Sequence, residues 1–330
     1  MRAWLMERQE RIEKLRLDEV ADPAPGPGQA LLRVKFAALN PADMLLAGAD
    51  YPTKPPLPHV LGRDGVGEVL AMGAGVENVR AGEMAGILRC AVGVSIWGTF
   101  AEKVVVPAER LIAVPQGWSL EETAAAPLVF LTAWQALNQW TETPPLKDSI
   151  LLVTGASGGV GIASVLLGKS MELVVVALSR SPEKRAQLRE LGADFVFDPA
   201  DEELSKTVLA ALAPKKVDLA VDNVGGKSFR ELLAMLGYGG RISIVGRSGG
   251  VVPEFDTLSL FFNRNRIGGV SVGDYSSDAA QAAWKQIVGR LNAMSKRPVV
   301  DSVFAFEDLK LAFAHLAQGP MGKILLRMRG

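Results

Sequence analysis

Cysteine and histidine are almost missing from this sequence. Its 330 residues include one cysteine, Cys90, and two histidines, His59 and His315. A single cysteine excludes an internal disulfide, and three such residues spread along the chain are a poor source for the Cys and His ligands that usually hold zinc. We therefore expect no metal site.

An excess of charge is also missing. The 36 Lys and Arg residues balance 36 Asp and Glu residues, and no basic run resembles a nucleic-acid footprint or a membrane-surface helix. No apolar run reaches 18 residues, and no basic segment followed by an apolar one opens the sequence. These absences predict a cytoplasmic protein that binds a small molecule and neither nucleic acid nor a membrane.

What the sequence does have is a change of pattern near residue 124. Before it, short apolar runs are broken by Gly and Pro, which is typical of a small, mostly β domain. After it, strand-like apolar runs alternate with helical patterns, and this alternation predicts a doubly wound parallel sheet. These runs occupy residues 150–154, 172–178, 195–198, 217–222 and 241–246, and residues 266–273 are a candidate sixth strand. The clearest helix should have Ser181 as N-cap, Pro182 in first position and Gly192 at its end.

The last part of the chain does not continue the nucleotide-loop pattern. We therefore predict that residues 275–330 return to the first domain. The β domain would then comprise residues 1–123 and 275–330, with an α/β domain at residues 124–274 inserted in it. A chain of 330 residues is long enough for two domains.

A glycine-rich loop, "TGASGGVG" at residues 154–161, follows the apolar run "SILLV". In such a strand, turn and helix start, glycines let backbone approach a pyrophosphate, and the helix N-terminus directs free N–H groups at it. An ordinary strand–turn–helix corner is the alternative. The loop residues predicted to bind the cofactor are Gly155, Ser157, Gly158, Gly159, Val160 and Gly161.

The next strand tip predicts which dinucleotide binds. About 20 residues after the loop, an NAD site carries an acidic residue for the ribose diol. Here the tip reads "ALSRSPEK", with Ser179, Arg180 and Lys184 and no carboxylate before Glu183 at the helix start. The tip therefore predicts a site for the 2′-phosphate of NADPH. The alternative is that these are ordinary solvated surface charges.

The loop also matches that of short-chain reductases, whose catalytic pair is a Tyr with a Lys four residues later. The three tyrosines, Tyr51, Tyr238 and Tyr275, are followed at that spacing by Pro, Ile and Ala. The pair is missing, so a β domain that holds substrate beside a separate cofactor domain is the better hypothesis.

The chain resembles the medium-chain dehydrogenase/reductase superfamily over essentially its whole length, and within it the zinc-free quinone oxidoreductase and enoyl reductase branch. The segments that carry the resemblance are "ALNPADMLLAGADYP", "PLPHVLGRDGVGEVLAMGAGV", "AAPLVFLTAWQAL", "ILLVTGASGGVG", "VDLAVDNVGG" and "GGRISIVG". The resemblance implies a Rossmann domain inserted in a GroES-like, mostly β domain.

The zinc ligands of that superfamily are replaced in this sequence. Asn40, Arg63 and Leu128 occupy the matching positions, and none of them suits zinc. Alcohol oxidation relies on a Lewis acid, so its loss favours hydride delivery to a quinone or to a conjugated C=C bond, for which the cofactor carries the hard step.

The resemblance also implies roles for further residues. Tyr51 would donate a proton or a hydrogen bond to the substrate carbonyl, and Asn40 would face the nicotinamide and bind a carbonyl oxygen. Arg63 is either an anion or carbonyl clamp or the ion-pair partner of Asp43 or Asp64. The residues expected around the nicotinamide and its ribose are Thr132, Asn223, Val224, Gly225, Val245 and Gly246. Alternatively, Asn40 has only the structural role of capping the helix that begins with "PADMLLAG", and Tyr51 is a half-buried aromatic residue at the rim of the site.

The leading hypothesis is an NADPH-dependent, metal-free reductase of quinones or α,β-unsaturated carbonyls. A non-catalytic NADPH-binding structural or redox-sensing protein of the same fold is the alternative, and a zinc alcohol dehydrogenase is a poor third. We also expect a homodimer, because residues 266–273 would form an unpaired edge strand.

Overall fold

The computed structural model describes residues 1–250 and 255–329. Its strands are β1 (Arg2–Met6), β2 (Arg16–Glu19), β3 (Gln29–Ala38), β4 (His59–Val60), β5 (Asp64–Met72), β6 (Met84–Ile87), β7 (Lys103–Pro107), β8 (Leu111–Ala113), β9 (Ile150–Val153), β10 (Val174–Leu178), β11 (Phe195–Phe197), β12 (Val217–Asp222), β13 (Leu236–Ile244), β14 (Arg266–Gly269), β15 (Val300–Ala305) and β16 (Lys323–Arg327). Its helices are α1 (Pro41–Ala47), α2 (Leu120–Ala125), α3 (Pro127–Asn138), α4 (Gly159–Ser170), α5 (Pro182–Leu191), α6 (Leu204–Leu212), α7 (Ser228–Met235), α8 (Leu258–Phe262), α9 (Ser277–Ala293) and α10 (Leu309–Ala317).

The chain forms two compact units. The first comprises Met1–Leu128, Gly273–Lys285 and Arg297–Gly330, and the second comprises Val129–Val272 and Gln286–Lys296. The first unit contains most of the residues predicted for the β domain, and the second contains most of those predicted for the α/β domain. No helix in the described residues is long and apolar enough to cross a membrane.

The first unit is built on two sheets. A small sheet has the order β2-β1-β4, and a seven-stranded sheet has the order β15-β16-β3-β5-β6-β8, with β7 also paired to β3. Apolar side chains from both sheets and from α10 share one core, in which Phe100 and Phe313 meet edge to face at 5.8 Å. Burial of such large apolar side chains is the main stabilising contribution in a domain of this size.

The strand register of the larger sheet brings distant residues together. Ala38, at the end of β3, lies opposite Asp64 at the start of β5 and opposite Leu325 in β16. Residues just after β3, at the start of β5 and at the start of β16 therefore meet at one end of this sheet.

The second unit contains a parallel six-stranded sheet with the order β11-β10-β9-β12-β13-β14. Each apolar run predicted as a strand forms one. The sixth strand is shorter than the predicted run: β14 ends at Gly269, and Val272–Asp274 form a 3-10 turn.

The helix predicted after the second strand is confirmed in its details. The Ser181 hydroxyl accepts a hydrogen bond from the Lys184 backbone N–H at 3.2 Å, Pro182 is the first helical residue, and Gly192 ends α5 at φ 115°. Such a left-handed φ is strained for a residue with a Cβ, which explains the glycine.

Candidate functional site

A buried network of charged side chains occupies the position at which the superfamily resemblance places metal ligands. It lies entirely in the first unit. Its members come from the end of β3, the start of α1, the start of β5 and the start of β16, and they are Asn40, Asp43, Arg63, Asp64 and Lys323. Each is more than nine-tenths buried.

Lys323 is the central cation of one half of the network. Its ammonium donates to the Asn40 side-chain oxygen at 2.6 Å and to the Leu39 carbonyl at 2.8 Å, and lies 3.4 Å from Asp64. The Asn40 amide nitrogen donates to the same Asp64 oxygen at 2.9 Å. Asn40 therefore links an ammonium to a carboxylate. It is also the N-cap residue of α1, but its amide group serves the network.

Asp64 is held on all sides. Its other carboxylate oxygen accepts the Leu128 backbone N–H at 3.1 Å, and its carbonyl accepts the Thr99 hydroxyl at 2.8 Å. Leu128 thus contributes its backbone, and not its side chain, at the position where the superfamily has a cysteine ligand.

Arg63 belongs to the other half of the network. Its Nε donates to the Asp43 carboxylate at 3.1 Å, and its Nη2 donates to the Ala42 carbonyl at 2.9 Å. Asp43 also accepts the Asn40 backbone N–H at 3.0 Å at the start of α1. Of the roles left open by the sequence, the geometry places Arg63 in an ion pair with Asp43.

Burial pulls the network toward its neutral forms. Burial raises the pKa of Asp43, against the pull of Arg63 and the Asn40 N–H, and it lowers the pKa of Lys323, against the pull of Asp64 and Asp43. Two carboxylates face two cations, so the four charges cancel. Buried charges are tolerated when they are paired and hydrogen-bonded in this way.

Tyr51 lies beside the network and is half-buried. The Arg63 guanidinium carbon lies 4.4 Å from the centre of its ring, which is cation–π geometry. Burial raises the pKa of the Tyr51 hydroxyl, but the charges and hydrogen bonds of Arg63 and Arg89 outweigh it, so the pKa lies below its ordinary value. The structure thus brings Asn40, Arg63 and Tyr51 into one region.

Zinc has no ligand set in this region. Within residues 1–250 and 255–329, no three His, Cys, Asp or Glu side chains form a group suited to a metal ion. His59 is fully buried, with neither ring nitrogen hydrogen-bonded within the described chain, and burial lowers its pKa to about 4.

The glycine-rich loop lies in the second unit, between β9 and α4. Gly155 has φ +54°, and Gly158 precedes the first helical residue with no side-chain cap. A Cβ on Gly161 would lie 2.4 Å from the Gly155 carbonyl oxygen, whereas a Cβ on Gly158 would meet nothing closer than 3.5 Å. Gly161 is therefore needed for packing, while Gly158 leaves open space beside the free N–H groups of the helix start.

The ends of β9, β12 and β13 meet next to this loop. Asp222 accepts the Thr154 hydroxyl at 2.7 Å and the Gly225 N–H at 3.0 Å, and the Asn223 amide donates to the Thr154 carbonyl at 2.8 Å. One carboxylate oxygen of Asp222 and the amide oxygen of Asn223 are buried without a hydrogen-bond partner in the described chain.

The remaining predicted cofactor residues fall into two groups. Val245 and Gly246 follow β13, and their N–H groups donate to the Asp222 carbonyl at 2.9 and 3.2 Å. They therefore lie with the Asp222 cluster, together with Val224. Thr132 is buried in α3.

The strand tip after β10 is organised by a residue that the sequence analysis missed. One Arg185 nitrogen donates to the carbonyls of Ser179 and Arg180 and to the Asp198 carboxylate, each at 2.9 Å. Helical side chains lean toward the helix N-terminus, so an arginine four residues after the N-cap was a usable signal. Ser179 is buried, and the Arg180 side chain is exposed.

Lys323, also missed, carried a weaker signal. It is a lysine at the start of the apolar run "KILLR", and a charge at the edge of such a run more often points to solvent. Only the register of β16 against β3 reveals its position.

Comparisons with known proteins agree with this architecture. The profile described as "Alcohol dehydrogenase GroES-like domain" matches residues 26–116, and that described as "Zinc-binding dehydrogenase" matches residues 159–291. The mouse synaptic vesicle membrane protein VAT-1 homolog is 30% identical over 334 residues, covering 95% of this chain and 80% of its own. Mouse quinone oxidoreductase-like protein 2 is 28% identical over 322 residues, covering 96% and 90%.

A solved structure titled as an NAD-dependent alcohol dehydrogenase superimposes with a TM-score of 0.91 at 30% identity, covering 99% of each chain. The resemblance inferred from the sequence motifs is confirmed, as is the fold: a GroES-like domain and a Rossmann domain. This chain belongs to the medium-chain dehydrogenase/reductase superfamily.

Proposed function

We propose that the chain is an NADPH-dependent oxidoreductase that transfers hydride to a quinone or an α,β-unsaturated carbonyl without a metal. The observation that carries the proposal is the self-neutralising network of Asn40, Asp64 and Lys323. An ammonium already supplies the positive charge at this position, and a second cation would be repelled by it. The quinone oxidoreductase-like relative supports the substrate class.

The second unit fits a nicotinamide dinucleotide. The open space at Gly158 and the uncapped start of α4 suit a pyrophosphate, and the unpartnered oxygens of Asp222 and Asn223 offer acceptors to ribose hydroxyl or carboxamide groups. When bound, the nicotinamide supplies the hydride. The chain's own residues bind and orient it, with Thr132, Val245 and Gly246 retained as proposed contacts.

We assign the NADPH preference to the tip at Ser179, Arg180 and Lys184. Arg185 donates hydrogen bonds to the backbone carbonyls of Ser179 and Arg180. The backbone from which the Arg180 side chain extends is therefore held in place. One structural relative is described as NAD-dependent. The preference of this chain for NADPH over NADH therefore needs a direct test.

Arg180→Ala should weaken NADPH binding about 10- to 100-fold, the loss of one charge-assisted contact, and leave NADH binding nearly unchanged. Fluorescence titration of both cofactors measures this. Arg189→Ala, in the last turn of α5, is the control. Equal losses for NADPH and NADH would show that Arg180 does not touch the 2′-phosphate.

Tyr51 is the proposed proton or hydrogen-bond donor. Hydride addition at the β-carbon leaves negative charge on the enolate oxygen, and a phenol beside Arg63 and Arg89 is suited to stabilise it. The second hydrogen of the Asn40 amide has only a long contact, 3.4 Å to the Ala38 carbonyl, so we propose that it also binds the carbonyl oxygen. Arg63 then acts through Tyr51.

The test is steady-state NADPH oxidation with a panel of quinones, enals and enoyl thioesters. Tyr51→Phe should lower enoyl turnover about 10- to 1,000-fold and affect quinones less, because reduced quinone oxygens collect protons from water. Tyr238→Phe is the control, since Tyr238 is 74% exposed in the second unit. Full enoyl turnover by Tyr51→Phe would show that Tyr51 is only a half-buried aromatic residue at the rim of the site. If the unaltered protein oxidises NADPH with none of the substrates, the non-catalytic alternative is favoured.

We also propose a homodimer in the cytoplasm. The second unit ends its sheet at β14 and exposes a neighbouring apolar group, in which Phe261 is 76% exposed. The other members are Tyr238, Leu258 and Phe262. Such a surface next to a free strand edge suits pairing with a second copy. Sedimentation showing only monomer at micromolar concentration would contradict it, and cell fractionation tests the location.

A further inference from the structure

Arg89 is the exception among the buried charges of the first unit. It follows β6 and is 7% exposed. The other four buried charged side chains form the pairs Arg63 with Asp43 and Lys323 with Asp64. In residues 1–250 and 255–329, no carboxylate lies within 4 Å of the Arg89 guanidinium. A largely buried arginine is normally paired with a carboxylate, so this guanidinium needs an explanation.

The backbone that carries Arg89 is held in place. Arg110 donates one hydrogen bond to the Arg89 carbonyl at 3.1 Å and another to the Tyr275 carbonyl at 2.9 Å. A Cβ on Gly273 would lie 3.7 Å from the Arg89 Nη2 atom. The Arg89 backbone is therefore fixed by Arg110, and its Nη2 atom lies next to a residue without a side chain.

Arg89 also lies next to the proposed donor. Burial raises the pKa of the Tyr51 hydroxyl, but the nearby guanidinium groups of Arg63 and Arg89 bring it below its ordinary value. Asp43 neutralises Arg63, so the positive charge left over beside Tyr51 is that of Arg89. A guanidinium is planar, weakly hydrated and matched to two oxygens of one carboxylate.

We propose that Arg89 binds a carboxylate of the substrate, so that the preferred substrates are quinones or unsaturated carbonyl compounds that carry one. This inference rests on the proposed function for its substrate class. The carboxylate supplies the countercharge that the chain does not, while Tyr51 stays available to the carbonyl oxygen. No covalent step involves Arg89. It is a specificity residue.

Binding of compounds that cannot be reduced tests the carboxylate site independently of catalysis. Isothermal titration calorimetry with 2-naphthoate and with 2-naphthamide, which cannot be reduced under these conditions, compares a carboxylate with its neutral counterpart. The unaltered protein should bind naphthoate about 10- to 100-fold more tightly than the amide, the range of one charge-assisted pair. Arg89→Met should remove that preference, and Arg33→Met, which loses only an exposed pair with Glu68, should keep it.

Turnover gives the second readout. For a quinone tested as free acid and as methyl ester, Arg89→Met should lower kcat/KM for the acid about 10- to 100-fold more than for the ester. Equal losses for both would show that Arg89 acts only through Tyr51 and would overturn the proposal, as would an unchanged naphthoate preference. If Arg89→Met does not fold, Arg89→Lys decides. It keeps the charge without the two-pronged geometry and should retain only part of the preference.

If the naphthoate preference depends on Arg89 but no quinone or enoyl compound is reduced, the anion site stands and the proposed function fails. If reduction occurs without any preference for acids, the proposed function stands and the anion site fails.

Discussion

The charged network of the first unit and the glycine loop of the second unit treat their polar groups in opposite ways. Around Lys323 and Asp64, each charged group meets an opposite charge or a backbone partner. Around Gly158, Asp222 and Asn223, backbone N–H groups and side-chain oxygens lack partners within the described chain. Because buried polar groups are normally paired, the paired charges of the first unit hold its site in shape, and the unpaired groups of the second unit indicate a place for a ligand.

The largest test of this comparison is Lys323→Met. Removing the ammonium leaves Asp64 buried with one partner fewer, which should lower the free energy of unfolding by about 3–5 kcal/mol. Urea denaturation measures it. Lys35→Met, which loses only a surface contact with Glu68, should cost less than about 1 kcal/mol.

A double variant shows whether the cost is electrostatic. Adding Asp64→Asn to Lys323→Met removes the stranded charge and should recover part of the lost stability. If the single variant is as stable as Lys35→Met, the network is not the support that its geometry indicates.

Two glycines of the loop separate packing from ligand binding. Gly161→Ala places a methyl group against the Gly155 carbonyl oxygen at 2.4 Å, so it should lower stability by about 1–3 kcal/mol. Gly158→Ala has room within the protein and should unfold normally, while its methyl group obstructs the pyrophosphate and weakens NADPH binding. Thermal denaturation and cofactor titration of both variants measure this, and the opposite pattern would refute the assignment.

His59 tests the limit of the comparison, because it is buried without partners yet belongs to no proposed ligand site. Its pKa falls from the ordinary 6.5 to about 4 through burial. Below pH 6.5 the unfolded chain binds a proton that the folded chain does not. The free energy of unfolding should therefore decrease as the pH is lowered. The contribution of His59 to this decrease should be about 2 kcal/mol at pH 5.

His59→Leu should flatten the stability profile between pH 7 and pH 5, since a leucine does not titrate. His315→Gln, on the surface beside Asp301, is the matched control. A profile with the same slope in His59→Leu would mean that His59 is not buried as a neutral ring.

The spacing of apolar residues and the positions of helix-capping residues made the fold predictable. The alternation of apolar runs with helical segments predicted the parallel sheet, and Ser181, Pro182 and Gly192 predicted the bounds of α5. These signals are local, so no knowledge of distant contacts was needed. The shortening of β14 escaped prediction, because the apolar run continues beyond the last residue that pairs with β13.

The candidate site was less predictable, because its charges pair across long sequence separations. Asn40 and Arg63 were singled out by the resemblance, but their partners depend on tertiary contacts. Lys323 is 283 residues from Asn40, and no spacing rule connects them. Arg63 illustrates the same limit, since the sequence left both Asp43 and Asp64 as candidate partners, and only the tertiary contacts show that Asp43 pairs with Arg63 and Asp64 with Lys323.

The mutual pairing of the network restricts how this chain can evolve. Replacing Lys323, Asp64, Arg63 or Asp43 alone strands an opposite charge in the interior, so each first step toward a different arrangement is a loss. Only paired changes avoid it. A metal-binding descendant of this chain would have to pass through unstable intermediates with one unpaired charge. Epistasis between the paired residues therefore constrains the site as much as its function does.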